Sequence, residues 1–310
     1  MIYLIISGEM GTLYVNLFKI LTLYLSNFPL VISLVNNILI KVIYLLIIIF
    51  LIMLAVLFIF CWYENHRIVV SYYSINNEKV DEDLAGYRIV QISDFHNATF
   101  GGRDNSWLLK EVEAVSPDII VLTGDLVDSN HTNIEVSLTM VEGLTKISPV
   151  YYVTGNHEYW LSEEDRNYLF DGLKEAGAII LNNEVVDIEV GESSFLLAGL
   201  DDKHLYDNTL TDILNGRSEL NVVLAHEPQY IKDYSRNGAD IVLTGHAHGG
   251  QFILPIIGPV VAPDQGFLPK LTEGVVNENN TSMVISRGLG NSVIPVRLFN
   301  DPEIVVVTLE

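Results

Sequence analysis

Five short apolar runs, each ending in residues able to bind a metal ion, constrain this chain more than any other feature. They are YRIVQIS (87–93), DIIVLTG (118–124), PVYYVTG (149–155), NVVLAH (221–226) and DIVLTG (240–245). Each is nearly all apolar and rich in β-branched residues, the pattern of strands covered on both faces. Helix-length amphipathic stretches such as NSWLLKEVEAV and NYLFDGLKEAG alternate with them. Strands alternating with helices predict parallel pairing in a layered α/β domain. Between 178 and 201 the pattern changes: AIILNNEVVDIEV and SSFLLAGL, joined by GE, read as a hairpin. Near the end SMVISRG, SVIPVRLF and EIVVVTLE follow one another without helices. A second, partly antiparallel sheet packed on the first is the expected arrangement.

In open α/β sheets ligands bind beyond the carboxyl ends of the strands. The five ends carry Asp94 and His96 in SDFH, Asp125 and Asp128 in GDLVD, GNHE at 155–158, His226 in AHEP, and His246 and His248 in GHAHGGQ. Five of the eight histidines fall in these motifs, so the ends are expected to converge on one crevice. Singly, an Asp after a strand is more often a helix N-cap, and Gly-Asp or Gly-Asn is an ordinary turn pair. The ordered coincidence of all five is what favours function. Imidazole mixed with carboxylate suits Mn, Fe or Zn. A donor set of this size suits two divalent ions sharing one carboxylate, the arrangement that clamps a transferring phosphoryl group with ions about 3.5–4 Å apart. His246 and His248, two apart on an extended segment, lie on one side and can feed both ions. Gly249 and Gly250 are expected to let the backbone pass close to the site without a Cβ, and Gly124, Gly155 and Gly245 to do the same at the other turns.

The series D-x-H, G-D-x-x-D, G-N-H-[DE], a lone His and G-H-x-H resembles that of the calcineurin-like metallophosphoesterases, over about residues 87–310. The tail from GGQFILPIIGPVVAPDQGF to VVVTL is similar to that of a membrane-anchored bacterial phosphohydrolase and phosphodiesterase subfamily. Phe95 stands where Leu is usual and Glu158 where Asp is more frequent, and neither removes a ligand. The resemblance implies a four-layer αββα sandwich of two mixed sheets behind an N-terminal transmembrane helix. It implies that Asp94, His96 and His248 hold one divalent ion, that Asn156, His226 and His246 hold the other, and that Asp125 bridges them. It implies that His157 is catalytic, stabilising the phosphoryl group or protonating the leaving oxygen, with Asp94 on the far nitrogen of its ring. Hydroxide from the ion pair would attack phosphorus in line, with no covalent intermediate. Asp128 is expected to orient its turn. Arg287 in SRGLG is a candidate substrate-binding guanidinium, weighed against pairing with one of the many carboxylates. Asp201 and Asp202 are read as caps, and His66, His131 and His204 as packing or surface residues.

The N-terminal part belongs to another solvent. Residues 42–62 carry no charge and are long enough to cross a hydrocarbon layer of about 30 Å. No small-x-small cleavage site follows, which favours a retained transmembrane helix over a signal peptide. Residues 1–41 are apolar but diluted by Asn, Ser and Pro29, and read as a surface segment or a weak second span. Residues 63–86 read as a connector and 87–310 as the metallophosphoesterase domain. The flanking cations nearly tie, Lys19 and Lys41 before the span against Arg67 and Lys79 after it. Cys61 is the sole cysteine, so the soluble part has none. That is compatible with an oxidising exterior, and a single-pass protein of the cell membrane with an extracytoplasmic catalytic domain is the expectation. The net charge of −22 comes entirely from beyond residue 62, since residues 1–62 carry only Glu9, Lys19 and Lys41. Such a domain repels polyanions, which argues against nucleic acid as a partner. The expected partners are membrane lipid through the anchor and a phosphate ester in the cleft. The chain thus reads as a binuclear hydrolase of phosphomonoesters, phosphodiesters or pyrophosphates, with lipid-linked substrates favoured by the anchor. The alternatives are a UDP-2,3-diacylglucosamine-type pyrophosphohydrolase and an inactive metal-binding interaction module.

Overall fold

The computed structural model describes the backbone of residues 2–291 and 295–310, with side chains from residue 16 onward. Two compact units are present, Met1–Phe60 and Cys61–Glu310. The first is the apolar part of a single helix, α1 (Ile2–Glu64), which runs without a break through both the 1–41 segment and the 42–62 span and carries Pro29 internally. It is the one helix among the described residues long and apolar enough to cross a membrane, and from Leu17 to Ile59 its apolar side chains are exposed. In water such a surface would be highly unfavourable; in lipid it is matched to its solvent.

The second unit contains the remaining elements. In chain order they are β1 (Val69–Ile75), β2 (Arg88–Ile92), α2 (Ser106–Ala114), β3 (Ile119–Thr123), α3 (Ile134–Leu144), β4 (Val150–Val153), α4 (Asn156–Trp160), α5 (Glu163–Glu175), β5 (Ile179–Ile180), β6 (Glu184–Val190), β7 (Ser193–Gly199), α6 (Thr209–Leu214), β8 (Leu220–Leu224), α7 (Ile231–Arg236) and β9 (Ile241–Thr244). Two short hairpins follow, β10 (Ile253–Leu254) with β11 (Gly258–Pro259) and β12 (Val261–Ala262) with β13 (Gly266–Phe267). Then come β14 (Gly274–Glu278), β15 (Thr281–Ile285) and β16 (Glu303–Leu309).

These strands build two six-stranded mixed sheets, ordered β1-β16-β2-β3-β4-β5 and β14-β15-β9-β8-β7-β6. Alternation along each strand sorts side chains into separate cores. Ile89 and Val121 of the first sheet meet Leu197, Leu224 and Leu243 of the second between the sheets. Val90 and Leu122 face α2, α3 and α5 on one outer side. Val223 and Val242 face α6 and α7 on the other. The result is the four-layer αββα sandwich.

The five motif-bearing strands are not neighbours in one sheet. β2, β3 and β4 lie in the first sheet and β8 and β9 in the second, so the crevice lies between two sheet ends. All five are apolar on both faces, which hides the partition. β1 lies within the stretch expected to be a connector, as an edge strand parallel to β16. The expected hairpin is also shorter. Ile179 and Ile180 pair with β4 in the first sheet, and Asn183, at φ 58°, turns the chain into the β6–β7 hairpin of the second. Of the run SVIPVRLF, residues 292–294 lie outside the described residues. The remainder is irregular apart from a bridge between Leu298 and Phe252.

Candidate metal centre

The two sheets are tied together just beneath the crevice. Gln91 donates from Nε2 to Thr123 Oγ1 (2.9 Å) and to the Thr244 carbonyl (2.8 Å), joining β2 and β3 to β9. Past this point the backbones approach so closely that a side chain is excluded. A Cβ at Gly245 would lie 1.8 Å from Ser93 Oγ and 2.2 Å from Asp94 Oδ2, and one at Gly155 would lie 2.3 Å from Asp125 Oδ1. Close approach is therefore why those turns carry glycine. Gly249 and Gly250 answer to other neighbours, Asn300 and Pro259, and not to the site as expected.

Seven predicted ligand residues and His157 come together at this place. Asp94, His96 and His248 form one group whose ligand atoms lie within 4.8 Å of one another, and Asp125, His226 and His246 form a second; His96, Asp125 and His157 form a group between them. Asp125 Oδ2 lies 3.5 Å from His96 Nε2 and 3.3 Å from His226 Nε2, so one carboxylate faces both groups. Asn156 completes the second group, its Oδ1 lying 3.1 Å from His226 Nε2. Backbone donors aim the carboxylates: His246 N–H reaches both oxygens of Asp94 (3.1 and 3.0 Å), and His157 N–H reaches Asp125 Oδ1 (2.9 Å).

The hydrogen bonding shows what the centre lacks. His226 Nδ1 donates to the Thr123 carbonyl at 2.8 Å, which fixes the tautomer and turns the Nε2 lone pair inward. That lone pair meets Asn156 Oδ1, Asp125 Oδ2 and, at 3.1 Å, His246 Nδ1. Electron-pair donors thus crowd His226 Nε2, an arrangement that needs positive charge among them, supplied by a proton on that nitrogen or by a metal ion in its place. Both ring nitrogens of His96 and Nδ1 of His248 are buried without a hydrogen-bond partner among the described residues. Mixed nitrogen and oxygen donors of this kind fit a divalent ion of the Mn, Fe or Zn type.

Protonation follows the same environment. Burial holds the His96 ring below its usual pKa and drives His248 down to about 3, so both are neutral with lone pairs available. His226 behaves oppositely: burial disfavours its charge, but the Asp125 carboxylate outweighs it and holds the ring well above the usual range. Asp94 and Asp125 resist ionisation through burial, yet the surrounding imidazoles hold both carboxyls below the ordinary range. Burial and the nearby Asp125 charge push Glu158 up to about 7. Opposing them are three backbone donors, Asp125 N–H (3.0 Å), Leu126 N–H (2.8 Å) and Gly155 N–H (2.7 Å), which favour its ionised form. Glu158 thereby stitches the β3 and β4 turns together, a task for which the sequence offered only its place in GNHE.

His157 is positioned by a different partner from the one expected. Ser129 N–H donates to its Nδ1 at 3.2 Å, and the nearest carboxylate is Asp128 Oδ1, 3.7 Å away; Asp94 is not the carboxylate at that nitrogen. With Nδ1 accepting, the proton of the neutral ring resides on Nε2. Asp128 also holds its own turn through Asn130 N–H (2.9 Å) and His131 Nδ1 (3.2 Å), as expected of an orienting residue. Arg287 is not brought to the centre. Its guanidinium lies 3.3 Å from Glu303 and 3.5 Å from Glu273, the alternative weighed for it. Asp201 caps the next turn through Lys203 N–H. The remaining histidines have local partners, His66 with the Trp62 carbonyl and His204 with Asp207.

A cleft of about 400 Å³ opens over the centre. Asp125, Asn156, His157, His246 and His248 form its floor, and Trp160, Glu227, Pro263 and Asp264 its walls. Asp264 Oδ2 lies 2.9 Å from His246 Nε2 and so holds the outer nitrogen of that ring. Nothing in the sequence marks Asp264 except its place in PDQG, which reads as a turn.

The chain is similar in sequence to known proteins. A sequence profile described as Calcineurin-like phosphoesterase matches residues 87–250. The chain is similar to an uncharacterized metallophosphoesterase of Aquifex aeolicus, 30% identical over 80% of this chain and 94% of the other. It is also similar to YkuE of Bacillus subtilis, again an uncharacterized metallophosphoesterase, 28% identical over 80% of this chain and 87% of the other. A transmembrane protein with metallophosphoesterase domain from Danio rerio is 30% identical over 75% of this chain and 55% of its own length. Among solved structures, TT1561 of Thermus thermophilus aligns at a TM-score of 0.45 and 11% identity, over 66% of this chain and 90% of the other.

Proposed function

The chain belongs to the calcineurin-like phosphoesterase family, and from that premise we propose that it is a membrane-anchored hydrolase of phosphoric esters or anhydrides working with two divalent cations. In this reading Asp94, His96 and His248 hold one cation, Asn156, His226 and His246 the other, and Asp125 serves both. The observation that carries it is the convergence of three electron-pair donors, Asn156 Oδ1, Asp125 Oδ2 and His246 Nδ1, on His226 Nε2, with the unpartnered ring nitrogens of His96 beside it. Bound there, the cations would make water a nucleophile near neutral pH and withdraw charge from the phosphoryl oxygens.

The chain supplies the rest. His157, its Nδ1 occupied by Ser129 N–H, offers the Nε2 proton to the leaving oxygen or to a charged phosphoryl oxygen. His246 N–H on Asp94 and His157 N–H on Asp125 keep the two carboxylates from rotating. Trp160 and Pro263 wall the cleft and narrow its access to bulk water. A phosphomonoester, phosphodiester or pyrophosphate fits this chemistry, and anchoring through α1 favours a lipid-linked one. The catalytic unit is proposed to lie outside the cell membrane.

The test is turnover and metal content of the full chain in detergent, supplied with Mn, Fe or Zn. Hydrolysis of p-nitrophenyl phosphate or bis-p-nitrophenyl phosphate is expected. His157→Ala should keep its metal while turnover falls by about 10²–10⁴. Bound metal without turnover on any ester would instead make the chain a metal-binding module.

A further inference from the structure

The outer wall of the cleft belongs to residues 251–272, which form the hairpins β10–β11 and β12–β13. The hairpins are neighbours: Leu268 N–H donates to the Val260 carbonyl, and Val260 N–H to the Phe252 carbonyl, both at 2.9 Å. Ile256 and Ile257 stand at the turn of the first, and Phe267 and Leu268 at the exit of the second. All four are exposed, Phe267 at 83%. Isolated exposed apolar residues need no explanation, but four on adjacent turns form a patch.

The backbone makes the choice of residues stranger. Ile256 sits at φ 74° and Leu268 at φ 54°, where glycine or asparagine is favoured and a β-branched side chain is a marked exception. In water an isoleucine there adds strain and exposed hydrocarbon together. Placed in an apolar medium, the same side chain gains burial that offsets both.

The occupant follows from where the chain leaves its apolar helix. Ile253 N–H, at the base of the first hairpin, donates to the Leu298 carbonyl at 2.9 Å. The next residue, Phe299, donates its N–H to Glu64, the last residue of α1, and Arg67 pairs with Asp301. The hairpin base is therefore attached to the segment by which the chain emerges from the 42–62 run, where Trp62 and Tyr63 have the amphipathic character of interfacial anchors. We propose that Ile256, Ile257, Phe267 and Leu268 are a docking surface that inserts into the lipid bilayer in which the chain is anchored. The proposal rests on the reading of α1 as a membrane span, and it adds a second, independent contact with lipid. Pro263 and Asp264, on the turn between β12 and β13, line the cleft, so docking at Phe267 brings the cleft mouth to the level of phosphate headgroups. Residues 251–272 carry one cation, Lys270, and one carboxylate, Asp264, so hydrocarbon and not charge drives the contact.

The experiment uses the full chain in phosphatidylcholine vesicles, with Cys61→Ser and a single new thiol from Ile257→Cys or Phe267→Cys carrying a polarity-sensitive fluorophore. Glu219→Cys, exposed at the opposite end of β8 from the centre, is the reference. Labels at 257 and 267 should be blue-shifted, shielded from aqueous iodide, and quenched by nitroxide-bearing lipid at least about twofold more than at 219, with or without anionic lipid. Iodide access equal to that at 219, in a chain that resists alkaline extraction, would overturn the docking surface alone. A chain released by alkali would remove the span and the docking surface with it. Neither result depends on turnover.

Discussion

The two halves of the centre are built from the same residue types yet prepared differently. Around His226 the protein has engaged almost every donor: Thr123 holds Nδ1, Asn156 and Asp125 face Nε2, and Asp264 holds the outer nitrogen of His246. Around His96 it has not, since both nitrogens of that ring and Nδ1 of His248 have no hydrogen-bond partner among the described residues. The first arrangement is preorganised by protein contacts, whereas the second leaves buried polar atoms unsatisfied, at roughly 1–3 kcal/mol each unless a cation is bound. In the proposed two-cation reading, the His96 half would depend on its cation for local order and the His226 half for charge balance.

The largest effect is expected where the halves meet. Asp125 faces both His96 and His226, so Asp125→Ala should empty both groups and lower hydrolysis by on the order of 10³-fold or more. Metal analysis on the purified variant checks this. Retention of a full metal complement would show that the two halves do not share the carboxylate.

Much of this centre is legible in the sequence because the strand ends change character abruptly. A run such as DIIVLTG cannot bury Asp125 without a partner, and five such endings imply a common site. The division of those strands between two sheets is not legible, since a strand buried on both faces looks the same in either. Nor is β1: VVSYYSI is a half-exposed edge, and its pairing with β16 spans most of the chain. Supporting residues escape for a related reason. Asp264 acts by reaching His246 across a loop, and Ser129 reaches His157 through both its backbone N–H and its hydroxyl, though a lone Ser in such a loop carries no recognisable signal.

A smaller effect separates the halves. Asp264 is largely exposed and its contact is partly screened, so Asp264→Asn should weaken cation binding by no more than about tenfold. The substitution keeps an oxygen acceptor, and asparagine tolerates the φ of 55° found there. Imidazole resonances should show the His246 and His226 rings responding while His96 and His248 do not. Equal movement in all four would mean that the halves are one cooperative network.

The smallest effect concerns Asp202, which neighbours the His226 half with Oδ1 buried and unpartnered among the described residues. Burial, opposed by His226 and reinforced by Glu227, pushes its carboxyl from 3.8 up to about 8. The folded chain thus holds this proton more tightly than the unfolded chain. Its contribution to stability is complete below the unfolded carboxyl's pKa and is lost as pH rises through about 8. In metal-free protein, Asp202→Asn cannot titrate, so its Tm should fall less than the parent's over that window, by about a few degrees. Excess divalent cation should shrink the difference, because a positive ion beside His226 favours the ionised carboxylate. Parallel pH profiles for parent and variant, with and without cation, would show that Asp202 does not sense the second half at all.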